Sequence, residues 1–404
     1  IGISLVWVPF LFFLAIKISE NRHKLWYALL AALILAPIWV FGLTQLTLYL
    51  ATATVIFAMF LDFRSKRFDF LRYKTTFICI AVILLSVAFV LPIIKADYAI
   101  HRLGWRAEGL SYQRSGNEYY NIFDLVHFIS PFIVLPFINT EYTQFYFGIL
   151  PLLLVILTWK IRDWNPYIKF FQWMAILTLI IAIKYSPLFY VLTKIPIFNF
   201  FRGSGKFLFL TNFSLAILGG FGLDMLKEGR VFEFFAKISH LYKKFLIIFI
   251  SIIVGINALY YFAFDALSKI GFKVFMRFGY AHTLQREPLY YVDKVRELLE
   301  SWFYQFSFSN IEIWLAIITL ISTGLVIALL LKNKVSIASF SILAIILVCL
   351  SSFFIWHRYY RFVSASVLKP TPVIEFLMSH GDNQYRTLTF NLGIESYKKL
   401  GLEY

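Results

Sequence analysis

TFICIAVILLSVAFVLPII, residues 76–94, holds no charged side chain and is bracketed by Lys74 and Lys95. Crossing about 30 Å of hydrocarbon as a helix takes about 20 apolar residues, and this run supplies them. The same ruler, moved along the chain, marks ten apolar stretches: 1–16, 25–41, 43–61, 76–94, 144–159, 170–183, 207–226, 245–264, 311–331 and 336–354. Composition agrees. Of 404 residues, 60% are hydrophobic, 20% aromatic and only 15% charged, where a soluble domain has about a quarter charged. The expected fold is an all-α integral membrane protein, a polytopic helical bundle of about ten spans.

Charge orders the spans. The formal net charge is +16, and the cations gather in short connections: Lys17/Arg22/Lys24, Arg64 to Lys74, Lys160/Arg162/Lys169, Lys227 to Lys244, and Lys332/Lys334. Alternating the ten spans puts all five clusters on one side, which the positive-inside rule makes cytoplasmic. Basic residues that punctuate apolar runs act as topology signals, so nucleic acid is excluded as a partner. The other side receives outward loops 95–143, 184–206 and 265–310. Residues 1–355 then form the membrane domain, and 356–404 the start of an extracytoplasmic soluble domain, with a helix from Thr371 and a strand over Tyr385–Phe390. The chain opens inside an apolar run and stops at Tyr404, which reads as a fragment of a longer protein. Cys79 and Cys349 both lie in apolar runs and frame no disulfide network.

Within the outward loops, Glu287 to Glu300 reads as an amphipathic helix with Pro288 near its start, and Ser186 to Lys194 as a short interfacial helix. The stretch IPIFNFFRGSGK, residues 195–206, carries the clearest chemistry. Arg202 and Lys206 flank Gly203, Ser204 and Gly205 just before a span begins. Two cations and a glycine-rich backbone at a helix start suit a phosphate. The plainer reading makes the cations headgroup anchors; the glycine pair favours close approach to an anion. The turn is no nucleotide loop: Phe200 stands where a glycine is needed and Phe207 where a metal-binding hydroxyl is needed.

Asp97, Glu108, Asp124 and Glu141 are the carboxylates of loop 95–143, any of which could deprotonate an acceptor hydroxyl, or simply partner Lys95, Arg102, Arg106 and Arg114. His101 and His127 sit nearby without metal-ligand spacing. No cofactor is evident, and a divalent metal, although compatible with the chemistry, has no ligand pattern behind it. Gln45, Gln172, Asn212 and Asn257 are the mild polar exceptions inside the spans, where ion-coupled transporters keep a buried ionisable group.

Several of these segments resemble a known family. SVAFVLP (86–92), Ser130-Pro131-Phe132, FYFGILPLLL (145–154), Phe201-Arg202 with Lys206, and LGGFGL (218–223) are similar to the YfhO-like membrane proteins of bacteria and archaea, within the C-type (GT-C) glycosyltransferase superfamily. The similarity covers about residues 76–226, and the turn at Phe201, Arg202 and Lys206 matches most specifically. The resemblance implies a multi-span enzyme of the cell membrane that moves a sugar from a polyprenyl-phosphate donor to a cell-envelope acceptor outside the cell. It also places the catalytic acid in an outward loop upstream of Ile1, so no catalytic residue carries over. Arg202, Gly203, Ser204, Gly205 and Lys206 would hold the donor phosphate, with Arg106 assisting. A flippase or exporter of lipid-linked glycans, or a non-catalytic membrane scaffold, remains the alternative from the residues alone.

Overall fold

The computed structural model describes residues 6–20, 23–41, 44–64, 73–102, 112, 120–129, 146–160, 165–195, 198–201, 203–229, 231–278 and 288–359. The described residues are helical, apart from turns and one isolated bridge between Tyr120 and Ile183. In order the helices are α1 (Val8–Glu20), α2 (Lys24–Phe41), α3 (Thr44–Arg64), α4 (Lys74–Arg102), the one-turn α5 (Val126–Ile129), α6 (Ile149–Leu157), α7 (Pro166–Ala182), α8 (Pro187–Leu192), α9 (Leu208–Lys227), α10 (Phe232–Phe278), α11 (Pro288–Phe306), α12 (Ile311–Leu331) and α13 (Ile337–Tyr359). The chain divides into two units, Ile1–Trp356 and His357–Tyr404. Of the second, only residues 357–359 are described; the helix and strand expected after Thr371 lie outside the described residues.

Among the described residues seven helical segments are long and apolar enough to cross a membrane, fewer than the ten spans expected; they mark a multi-pass membrane protein. A helix lies within the described part of each of the ten apolar stretches, but α1, α6 and α7 have only 13, 9 and 17 residues, short of a full crossing. Lipid-facing side chains stay apolar: Phe262, Leu84 and Ile345 are all more than half exposed. Polarity is spent between helices instead. Trp39 Nε1 donates to Ser86 Oγ at 3.1 Å, Thr178 and Thr211 share a hydrogen bond of 2.8 Å between α7 and α9, and Gln172 Nε2 reaches the Thr158 carbonyl at 3.1 Å. Such bonds hold transmembrane helices together where water-driven burial cannot.

Small residues let backbones close up. Gly222 of α9 lies so near α6 that a Cβ built there would stand 2.0 Å from the Leu154 carbonyl oxygen. Within the LGGFGL run, Gly222 is therefore the position that lets the helices close up. A second seam is aromatic: Phe12, Phe57, Phe171 and Phe213 bring α1, α3, α7 and α9 together, with ring centroids 4.8–6.1 Å apart.

Helix ends are tied by polar contacts. Asp62, at the end of α3, accepts the N–H groups of Thr75 and Thr76 at 3.2 and 2.7 Å, capping α4. Arg64 lies over the Tyr167 ring and Lys160 over Phe234. At the opposite ends, Lys206 meets Gln45 and Tyr112 meets Ser186. Under the charge alternation both partners of each tie share a side.

Helix extends into the described parts of two expected loops. α4 runs to Arg102, so residues 95–102 extend the span as helix. Within 265–310, α10 runs on to Phe278 as one helix of 47 residues, and the amphipathic helix expected over 287–300 is α11, which begins at Pro288, the position favoured for a helix start. Charges ended the apolar runs without ending the helices, because a helix leaving the bilayer can carry them on its exposed side. The expected short helix near Ser186 is α8, whose Ser186 Oγ accepts the Phe189 N–H.

Candidate functional site

Stretches of segments 95–143 and 184–206 meet on the last carbonyl of α7. Ala182 O accepts the Tyr120 N–H at 3.0 Å and the Ser204 hydroxyl at 3.0 Å. Lys184 N–H returns to the Tyr120 carbonyl at 2.9 Å, closing the small parallel pairing with Ile183. The helix C-terminus is a natural place for this, since its last carbonyls have no partner within the helix. One strap of loop 95–143 and the glycine turn of loop 184–206 are thereby fixed to one point.

Within the turn, Gly203 has φ 89°, a left-handed conformation that favours glycine. It lets the chain reverse so that Lys206 N–H bonds the Gly203 carbonyl at 3.3 Å and a short 3-10 turn, Ser204–Phe207, feeds α9. Gly203, Ser204 and Gly205 are buried, while Lys206 is half-buried. Its ammonium donates to Gln45 Oε1 at 3.1 Å, and Gln45 Nε2 donates to the Tyr49 hydroxyl at 2.8 Å. Tyr49 in turn stacks on Phe207, centroids 4.0 Å apart. The cation is thus aimed by α3. Gln45 stood out in the sequence only as a polar residue in a span, and nothing in the sequence linked it to a lysine 161 positions away. Arg202 lies outside the described residues.

Asp124 is the described carboxylate of the other strap. It is fully buried; its Oδ2 accepts the Asn121 N–H at 2.7 Å, and its Oδ1 has no hydrogen-bond partner among the described residues. Burial pushes its pKa up to about 6 against the opposing pull of that N–H. The Tyr120 hydroxyl donates to the Asp124 backbone carbonyl, and the buried Phe128 ring meets Tyr120 edge-on. His127 is also buried here. A buried carboxyl titrating near neutrality suits proton transfer.

Asp97 belongs to the final turns of α4, its side chain outside the described set. Arg106, Glu108 and Glu141 lie outside the described residues altogether. Among the described residues no cluster of three or more His, Cys, Asp or Glu could hold a metal ion. Compared with family models, curated proteins and solved structures, the chain matches none.

Proposed function

We propose that the chain is a membrane glycosyltransferase of the GT-C type, moving a sugar from a polyprenyl-phosphate donor to an acceptor hydroxyl in the cell envelope, on the outer side of the cell membrane. The observation that carries this reading is the convergence on Ala182 of a cation-bearing glycine turn and a strap holding a buried, half-satisfied carboxylate. Arg202 and Lys206, with the backbone of Gly203 to Gly205, grip the donor phosphate, and Arg106 assists from the neighbouring loop. The acceptor oxygen bonds to the anomeric carbon as the bond from that carbon to the phosphate oxygen breaks. Asp124 takes the acceptor proton, and the electron pair leaves on the lipid phosphate, where the cations stabilise the growing charge. A pKa near 6 leaves Asp124 mostly ionised, and so able to accept a proton, at neutral pH.

The test is transfer from a radiolabelled polyprenyl-phosphate sugar by the protein in liposomes without any ion gradient. Arg202→Ala and Lys206→Gln should each cut turnover at least a hundredfold at unchanged abundance, because each removes a charge aimed at the leaving group. Wild-type turnover in both variants rejects the assignment; a lipid moved between leaflets with its sugar bond intact identifies a flippase instead.

A further inference from the structure

α10 is helical without interruption from Phe232 to Phe278. At 1.5 Å per residue that is about 70 Å, more than twice the hydrocarbon thickness. Its apolar core, residues 245–264, fills one span, and no proline breaks the residues that follow. A helix without such a break curves only gently, so the end of α10 continues outward along the axis of the span instead of lying down on the membrane.

α11 returns along this projecting end. Tyr291 stacks on Phe275, Val295 and Leu299 face Gly271, Phe303 meets Tyr260, and Asn257 Nδ2 donates to the Phe306 carbonyl at 2.9 Å. These contacts fix the seam, and helical periodicity then assigns the two flanks. One flank is polar: Arg296 bridges Asp265 at 3.3 Å and Glu300 at 3.4 Å. The opposite flank collects Leu267, Ile270 and Val274 from α10 with Tyr291, Leu298 and Trp302 from α11, and Lys294, one turn before Leu298 on the same stripe, turns its ammonium to Glu297. Ile270, Val274 and Leu298 are 57%, 51% and 56% exposed. Among the described residues between 258 and 306, no side chain is fully buried. Two helices with an open apolar flank, standing clear of the bilayer, need a further layer to cover it.

We propose that this flank is the interface of a parallel homodimer, in which the α10–α11 hairpins of two chains close into a four-helix bundle above the membrane. Both copies are held in one orientation by the bilayer, so their symmetry axis runs along the membrane normal. That operation sets α10 of one chain against α11 of the other at equal height, Ile270 facing Leu298 of the second copy. Charge agrees with the pairing. The outer part of α10 carries Lys269, Lys273 and Arg277 against Asp265, a net positive helix. α11 carries Asp293, Glu297 and Glu300 against Lys294 and Arg296, a net negative one. Each positive helix therefore meets a negative one across the interface, where self-association of a uniformly charged hairpin would be opposed.

Two measurements decide it. First, Ile270→Cys and Leu298→Cys chains with different tags, both carrying Cys349→Ser to remove the exposed native thiol, are co-expressed and oxidised in native membranes. The proposal requires a disulfide-linked species bearing both tags; its absence overturns the pairing. Second, the wild-type protein in lipid nanodiscs is counted by single-molecule photobleaching. Mostly two-step traces are required, with at least a tenfold loss of dimer in the Ile270→Glu/Leu298→Glu double variant. Single chains in the wild type, or a dimer that survives both glutamates, refutes the interface.

Discussion

Replacing Gly222 with alanine tests how the helices around the site are held. The added methyl would stand 2.0 Å from the Leu154 carbonyl oxygen and 2.7 Å from its carbon. These are backbone atoms of α6, which cannot swing aside as a flexible side chain would. Restoring ordinary contact requires α6 and α9 to part by more than an ångström, which empties the packing along the whole seam. Overpacking of this kind costs about 1–3 kcal/mol, occasionally more, and the upper end applies because a rigid backbone is the obstacle. Gly220, two positions earlier on the same helix, has nothing within 4 Å of a built Cβ. Gly220→Ala gains helix propensity, up to about 1 kcal/mol. Unfolding of both variants in mixed micelles, followed by circular dichroism across a titration with sodium dodecyl sulfate, should move the midpoint in opposite directions. Equal shifts, or a Gly222→Ala change below about 0.5 kcal/mol, would refute the close approach of α6 and α9.

Asp62→Ala removes the acceptor for Thr75 and Thr76 at the start of α4, and should cost about 1–2 kcal/mol in the same titration, with Asp62→Asn costing less. Asp124 tests the strap by pH. An ordinary aspartate loses its proton near pH 3.9, while the buried group holds it to about 6. The folded state thus binds the extra proton between those values, and stability on account of this group falls as pH rises from about 4 to 6, then levels. Asp124→Asn should abolish that fall and raise the thermal midpoint at pH 7 while eliminating sugar transfer. A midpoint at pH 7 equal to the wild type's would count against the buried charge.

Much of the helical framework was legible because membrane helices announce themselves through unbroken apolar runs, and seven described helical segments are long and apolar enough to span. The ends were harder. Lys95, Asp97 and the charges after Asp265 interrupt the apolar pattern, and a hydropathy reading stops there, although the backbone hydrogen bonding of α4 and α10 does not. The glycine turn was visible from residue types, and its left-handed Gly203 follows from them. Its anchoring was not: Ser204 and Tyr120 share a carbonyl of α7, and Lys206 is aimed by Gln45. Those contacts join residues far apart in the chain, and neither periodicity nor local spacing encodes them. Gly222 shows the converse case, where a motif noticed for its resemblance proves to have a steric cause inside the bundle.

The central claim is that the cationic turn meets lipid phosphate on the outer side of the membrane. Ser204 is buried and unsuited to labelling, but Tyr185, in the connection between α7 and α8, is 75% exposed. Tyr185→Cys and Asn333→Cys, each in a Cys349→Ser background, can be treated in intact cells with a membrane-impermeant maleimide. The account predicts labelling of position 185 before lysis and of position 333 only after it. The reverse pattern would put the turn in the cytoplasm and contradict the account.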